Sequence, residues 1–208
     1  MEAKFQSSIN SIFQSYSKSL QMEQVKWFER SFNFNSVQNI FPSIIERLAG
    51  TPARLEEKFK TISSDILTIQ IDGTWTIKEN VGHLIDLEPL WQGRLEDILN
   101  DKAELRPTDL QNTRTNEANH DAVPIEDLLY NFREIRKQTI SMIENLDEKQ
   151  IFKSALHPRL KTPMRTMDHF LFVAEHDDHH LARITELVKI ISSRKEAGTS
   201  HKRKQSEF

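Results

Sequence analysis

The chain of 208 residues carries a formal net charge of −3, with 37% hydrophobic and 28% charged residues, eight histidines and no cysteine. No apolar run approaches the roughly 20 residues of a membrane-spanning helix, and a pI near 6.3 argues against a nucleic-acid footprint across the surface. Zero cysteine excludes disulfides, cysteine–zinc sites, iron–sulfur clusters and a cysteine nucleophile, and five glycines without GxGxxG or GxxxxGK[ST] argue against Rossmann and P-loop proteins.

Residues 1–21 read as a helical extension, because Phe5, Ile9, Ile12, Phe13, Tyr16 and Leu20 recur at three- and four-residue steps. Gln and Ser interrupt this stretch throughout, so it does not read as a signal peptide, and a cytoplasmic location is expected. Met22 offers an alternative start. A helix is expected over 37–62, with Ile40, Ile44, Ile45, Leu48, Leu55 and Phe59 on its apolar face and a bend or break near Thr51, between Gly50 and Pro52. Residues 66–75 contain Asp72-Gly73 and read as an extended connector with a turn. The next helix, over 76–100, starts with Thr76 as N-cap and Glu79 three residues later, the pattern of a capping box. Its inward face carries Ile77, Val81, Leu84, Glu88, Trp91, Leu95 and Ile98.

Residues 101–123 are polar and aperiodic, a length of loop that is usually functional or mobile. Pro124 suits the first turn of a helix over 124–145, lined by Leu128, Leu129, Phe132, Ile135, Ile140 and Ile143. After a connector at 146–163, the last helix spans 164–191 on Met167, Phe170, Leu171, Ala174, Leu181, Ile184, Val188 and Ile191. Residues 192–208, polar and basic at Lys202-Arg203-Lys204, read as a disordered tail. The class is all-α: a four-helix bundle domain over 22–191 with an additional N-terminal helical segment.

Histidine is therefore the residue type to follow. His176 and His180, four apart, fall on one helix face about 6 Å from each other. Zinc–nitrogen bonds of about 2.0–2.1 Å need that convergence. His83, near the start of an earlier helix, is the best third ligand, since bundles build metal sites from facing helices. Three histidines with an open position are the catalytic pattern rather than the closed structural one. The plainer alternative is a set of surface or core histidines that only titrate. His179 points away from the pair by the helical period. Asp177 and Glu88 fall on inward stripes, where they either orient imidazoles or pair with Arg or Lys inside the bundle. Asp86 is placed to support His83, or is simply solvated. A zincin reading of His176–His180 fails on Asp177, one methylene shorter than the required glutamate, and on the lack of a further ligand.

Trp75-Thr76-Ile77-Lys78-Glu79-Asn80-Val81-Gly82-His83-Leu84 resembles the WSxxExxxHL segment of the DinB-like superfamily. Glu175-His176-Asp177-Asp178-His179-His180-Leu181 resembles its EHxxHH segment. Residues 46–54, 88–95 and 157–160 are similar to one subgroup. The resemblance covers about 22–191 and implies a four-helix bundle in which His83, His176 and His180 hold a divalent metal, with zinc or nickel favoured. It also implies a homodimer, a small-molecule substrate, and relatives that move thiols. The expected function is a metal-dependent transferase (thiol S-transfer) or hydrolase, its open position taking water or a cosubstrate thiolate. Asp177, Glu88 and His179 are candidate proton carriers, while Arg114 and His120 in the 101–123 loop are candidate substrate contacts. With no cysteine in the chain, any sulfur must come from a low-molecular-weight thiol. The alternative is a non-catalytic bundle that binds a metal or ligand in stress response or assembly. No nucleic-acid or membrane partner is expected.

Overall fold

The computed structural model describes residues 24–205, with side chains through residue 195, so the N-terminal stripe expected over 1–21 lies outside the described residues. The chain divides into two compact units, 1–31 and 32–208. In the first, the described residues form one 3-10 turn, Trp27–Glu29, with the Arg30 guanidinium 5.4 Å from the Trp27 ring centre.

The second unit holds the four long helices: α1 (Phe41–Phe59), α2 (Ile77–Leu99), α4 (Ile125–Ile143) and α6 (Thr166–Gln205). Between them lie two short helices, α3 (Thr113–Glu117) and α5 (Glu148–Phe152). Strands β1 (Ser154–Leu156) and β2 (Pro163–Arg165) pair antiparallel, Ala155 opposite Met164. Both α1 and α2 pack against α4 and α6, which places the first two long helices on a diagonal of the bundle. Among the described residues, no helix is long and apolar enough to cross a membrane.

Local sequence accounts for the boundaries. At the start of α2 the capping box forms as expected: Glu79 N–H donates to Thr76 Oγ1 at 3.0 Å, and Thr76 N–H donates to Glu79 Oε2 at 2.7 Å. The turn before it uses Asp72 at φ 50° and Gly73 at φ 72°. Every residue of the expected inward stripe of α2 is buried, Glu88 included.

Three expectations change. Helix α1 does not break near Thr51. Proline at 52 supplies no N–H for the Leu48 carbonyl, and Arg136 Nη1, reaching across from α4, donates to that carbonyl at 3.4 Å. The buried line of α4 runs through Leu128, Phe132, Arg136, Thr139 and Ile143, while Ile135 and Ile140 are only half-buried. Finally, α6 continues to Gln205, through the stretch expected to be disordered. The apolar stripe stops at Ile191, but extending an existing helix needs no new nucleus, and Arg194-Lys195-Glu196-Ala197 are strong helix formers.

The two connectors also acquire order. The 101–123 segment forms α3 and a 3-10 turn, His120–Ala122, both packed on α2. The 146–163 segment forms α5 and β1, and Glu104 bridges to Leu156 of that strand.

Candidate metal centre

Helices α2 and α6 bring His83, His176 and His180 together, all buried, with one ligand atom of each within 4.8 Å of the others. The i, i+4 step along α6 puts His176 Nε2 3.3 Å from His180 Nε2. The His83 ring lies 5.3 Å from the His176 ring and 4.9 Å from the His180 ring, centre to centre.

Hydrogen bonds outside the trio decide which nitrogens face inward. Asn80, one turn from His83 on α2, donates its amide to the Thr76 carbonyl at 2.7 Å, which turns its own oxygen toward His180. His180 Nδ1 therefore donates to Asn80 Oδ1 at 2.9 Å, leaving the Nε2 lone pair directed at the cluster. His83 is set by a longer relay. Thr115 Oγ1 donates to Asp86 Oδ2 at 2.9 Å, so its oxygen accepts from His83 Nδ1 at 3.0 Å. The inward nitrogen of His83 is again Nε2. Asp86 also accepts from His120 Nε2 at 2.8 Å and lies 3.2 Å from Arg114 Nε. Such partners, here an amide oxygen behind His180 and a hydroxyl backed by a carboxylate behind His83, orient imidazoles in metal sites generally.

Electrostatics favour neutral imidazoles. Burial lowers the His83 pKa to about 4, only partly opposed by Asp86. Burial, with the neighbouring His176, His83 and His179, holds His180 well below its ordinary value. Burial works to raise Asp86, but the bonds from His120 and Thr115 and the charge of Arg114 bring its pKa below the usual range. His83 and His180 thus offer lone pairs, not protons, at neutral pH.

The donor set fits a divalent cation. Two nitrogens bound at about 2.0–2.1 Å with a tetrahedral angle stand about 3.3–3.4 Å apart, and the His176–His180 nitrogen separation is 3.3 Å. Aromatic walls close two sides. Trp75 lies 4.5 Å from the His83 ring and is held by Nε1 donating to Asn116 Oδ1 at 2.9 Å. Trp91 lies 5.7 Å from the His176 ring.

The remaining candidates separate. Asp177 and Glu88 take the ion-pairing option, within the bundle. Arg136 donates to Asp177 Oδ2 at 2.6 Å and to Glu88 Oε1 at 2.7 Å, and all three are buried. Thr51 donates to Asp177 at 2.9 Å, and Thr139 donates to Glu88. Burial raises the Glu88 pKa against the pull of Arg136. Burial would lower Arg136, yet Asp177 and Glu88 outweigh it and raise the pKa. His179 lies beside the trio, half-buried, its ring edge-on to His180 at 5.2 Å. His120 is buried against Asp86 and supports His83 from behind, whereas Arg114 stays largely exposed. The flanking acids Glu175 and Asp178 pair with Arg47 at 2.9 and 2.5 Å, which ties α6 to α1. Thr115 and Asn80 escape the sequence reading. Asn80 left a signal, a polar residue one turn before His83 beside the buried stripe; Thr115 left none.

Comparisons with known proteins agree with this architecture. The family model of the DinB superfamily matches residues 47–184. Among solved structures, the chain is similar to one described as "YfiT from Bacillus subtilis is a probable metal-dependent hydrolase with an unusual four-helix bundle topology". The two share 21% identity at a TM-score of 0.69, over 78% of this chain and 94% of that one. No curated protein matches the sequence. A family model that covers most of the bundle, including all three clustered histidines, settles the affiliation: the chain belongs to the DinB superfamily.

Proposed function

We propose that the chain binds one divalent cation, zinc or nickel, through His83, His176 and His180, and that it is a metal-dependent hydrolase or thiol S-transferase acting on a small molecule. The observation that carries this reading is the convergence of three buried imidazoles whose ligand atoms lie within 4.8 Å. A cation held there would lower the pKa of water toward about 7 and deprotonate a thiol outright.

The chain's own residues supply the rest. Asn80 and the Thr115–Asp86 pair hold two imidazoles in one tautomer and one orientation. Trp75 and Trp91 pack beside the His83 and His176 rings. His179 is the candidate left to carry a proton, since Asp177 and Glu88 are committed to Arg136. A sulfur nucleophile would come from a low-molecular-weight thiol, because the chain has no cysteine.

The test begins with protein purified without a histidine tag and assayed by metal mass spectrometry. About one divalent ion per chain is expected, lost in both His83→Ala and His176→Ala. No bound metal after reconstitution would overturn the proposal. Turnover is then measured on a panel of hydrolysable esters and amides, and of electrophiles offered with small thiols. A rate in metal-loaded protein that disappears in His180→Ala supports an enzyme; the same rate in both leaves a binding protein.

A further inference from the structure

A second buried cluster lies three turns along α2 from the histidines, and its hydrogen-bond donors outnumber its acceptors. Arg94 is 1% exposed. Its Nε donates to the Arg106 carbonyl at 3.1 Å, its Nη1 points at His157 Nε2 at 3.3 Å, and among the described residues its Nη2 has no acceptor. The chain leading into β2 fixes the state of His157. Backbone N–H groups of Arg159 and Leu160 both point at His157 Nδ1, at 3.2 and 3.1 Å. That nitrogen must therefore be the acceptor, and a neutral imidazole then carries its hydrogen on Nε2. Nε2–H of His157 and an N–H of Arg94 consequently face each other, donor against donor.

Charge is also unbalanced. Among the described residues, no carboxylate pairs directly with Arg94. The acid whose field it feels, Asp97, is occupied by Arg106, which binds it through its backbone N–H, Nε and a terminal nitrogen at 2.8–2.9 Å. Arg159 adds a further positive field. A buried guanidinium without a counter-charge is costly. A water would satisfy donors but leave that charge standing.

We infer that Arg94 and His157 form a site for a single carboxylate, one oxygen accepting from Arg94 Nη1 and His157 Nε2–H and the other from Arg94 Nη2. Carboxylate rather than chloride fits the planar fork of arginine, which presents paired N–H groups. The carboxylate belongs either to a free small acid or to one end of a larger substrate. The indole of Trp91 adjoins both places, its ring 5.7 Å from the Arg94 guanidinium carbon and 5.7 Å from the His176 ring. The site stands on its own residues and does not depend on a cation at His83, His176 and His180.

The experiment measures the melting temperature of the full chain in formate, acetate, phosphate or chloride at constant ionic strength. A saturable rise with formate or acetate, absent with chloride, is expected. It is expected to persist in His83→Ala, which separates this site from the metal reading. It should vanish in Arg94→Met and shrink in His157→Asn, whose amide oxygen still accepts from the Arg159 and Leu160 N–H groups while the Nε2 donor is lost. His157→Asn keeps the test decisive if Arg94→Met fails to fold. If acetate rises and chloride does not, dicarboxylates and N-acyl amino acids of increasing length tell a free small acid from the end of a larger molecule. No saturable rise, equal rises in all four salts, a larger rise with phosphate than with acetate, or a rise unchanged in the variants would overturn the carboxylate site.

Discussion

Thr115 does more for the candidate centre than its size suggests. Its hydroxyl is the only group in hydrogen-bond contact with both His83 Nδ1 and Asp86 among the described residues, and it converts the carboxylate into an acceptor relay for the imidazole. Replacing it with valine preserves shape and removes the relay. The His83 ring would then be free to choose its tautomer and to swing. Loss of such an outer partner typically costs 10–100-fold in metal affinity, so Thr115→Val is expected to bind zinc about 10–100-fold more weakly in competition with a chromophoric chelator. Thr115→Ser should stay near the parent. Equal affinity in Thr115→Val would show that Thr115 does not orient His83. The contrast between His83 and Thr115 also shows what a sequence can reveal about a site. His176 and His180 announce themselves by helical spacing, and His83 by lying on a second amphipathic helix. Thr115 sits 32 residues from its partner in an aperiodic segment, where no period links position to direction.

At the scale of the element, the knot around Arg136 joins all four long helices. From α4 it reaches Glu88 on α2, Asp177 on α6 and the Leu48 carbonyl on α1. The same knot explains two departures from the apolar pattern. The inward line of α4 turns away from Ile135 and Ile140 so that Arg136 and Thr139 can enter, and α1 carries Pro52 without a break because the orphaned carbonyl has a donor. Periodicity identified the four helices and the inward position of both carboxylates. It could not say which cation met them, because stripe analysis counts apolar residues and passes over a charged one on the same face. Arg136→Met removes one partner and leaves two carboxylates buried. Breaking a buried pair this way costs about 3–5 kcal/mol, and that loss is expected in urea unfolding. A loss below about 1 kcal/mol would mean that the carboxylates find other partners, and the knot would then not be what fastens the helices.

Across the whole molecule, the buried histidines tie stability to pH. His169 illustrates the sign. It lies in the core with Nε2 donating to the Trp91 carbonyl at 3.0 Å, and burial, with Arg94 and His157 nearby, lowers its pKa to about 3 despite the Trp91 bond and Asp97. The unfolded chain takes up this proton near the ordinary value of about 6.5, whereas the folded chain refuses it until about pH 3. Between those limits the unfolded state binds more protons, so stability rises with pH and is lost as pH falls below 6.5. The cost is about 1.4 kcal/mol per pH unit for each such group. Carboxylates held low by ion pairs, such as Asp97 and Asp178, contribute their losses only below their ordinary range near 4. The connection is global because a single proton at His169 cannot be accommodated locally: it sits under Trp91 and Phe170, inside the packing of α2 against α6. His169→Gln keeps a donor for the Trp91 carbonyl and removes the titration. His83 and His180 titrate alike in both proteins, so the difference between the two isolates His169. The unfolding free energy lost between pH 7 and pH 5 is expected to be about 2 kcal/mol smaller in His169→Gln than in the parent. Equal losses in the two proteins would show that His169 accepts its proton in the folded state, and that this part of the core opens to water well before the bundle unfolds.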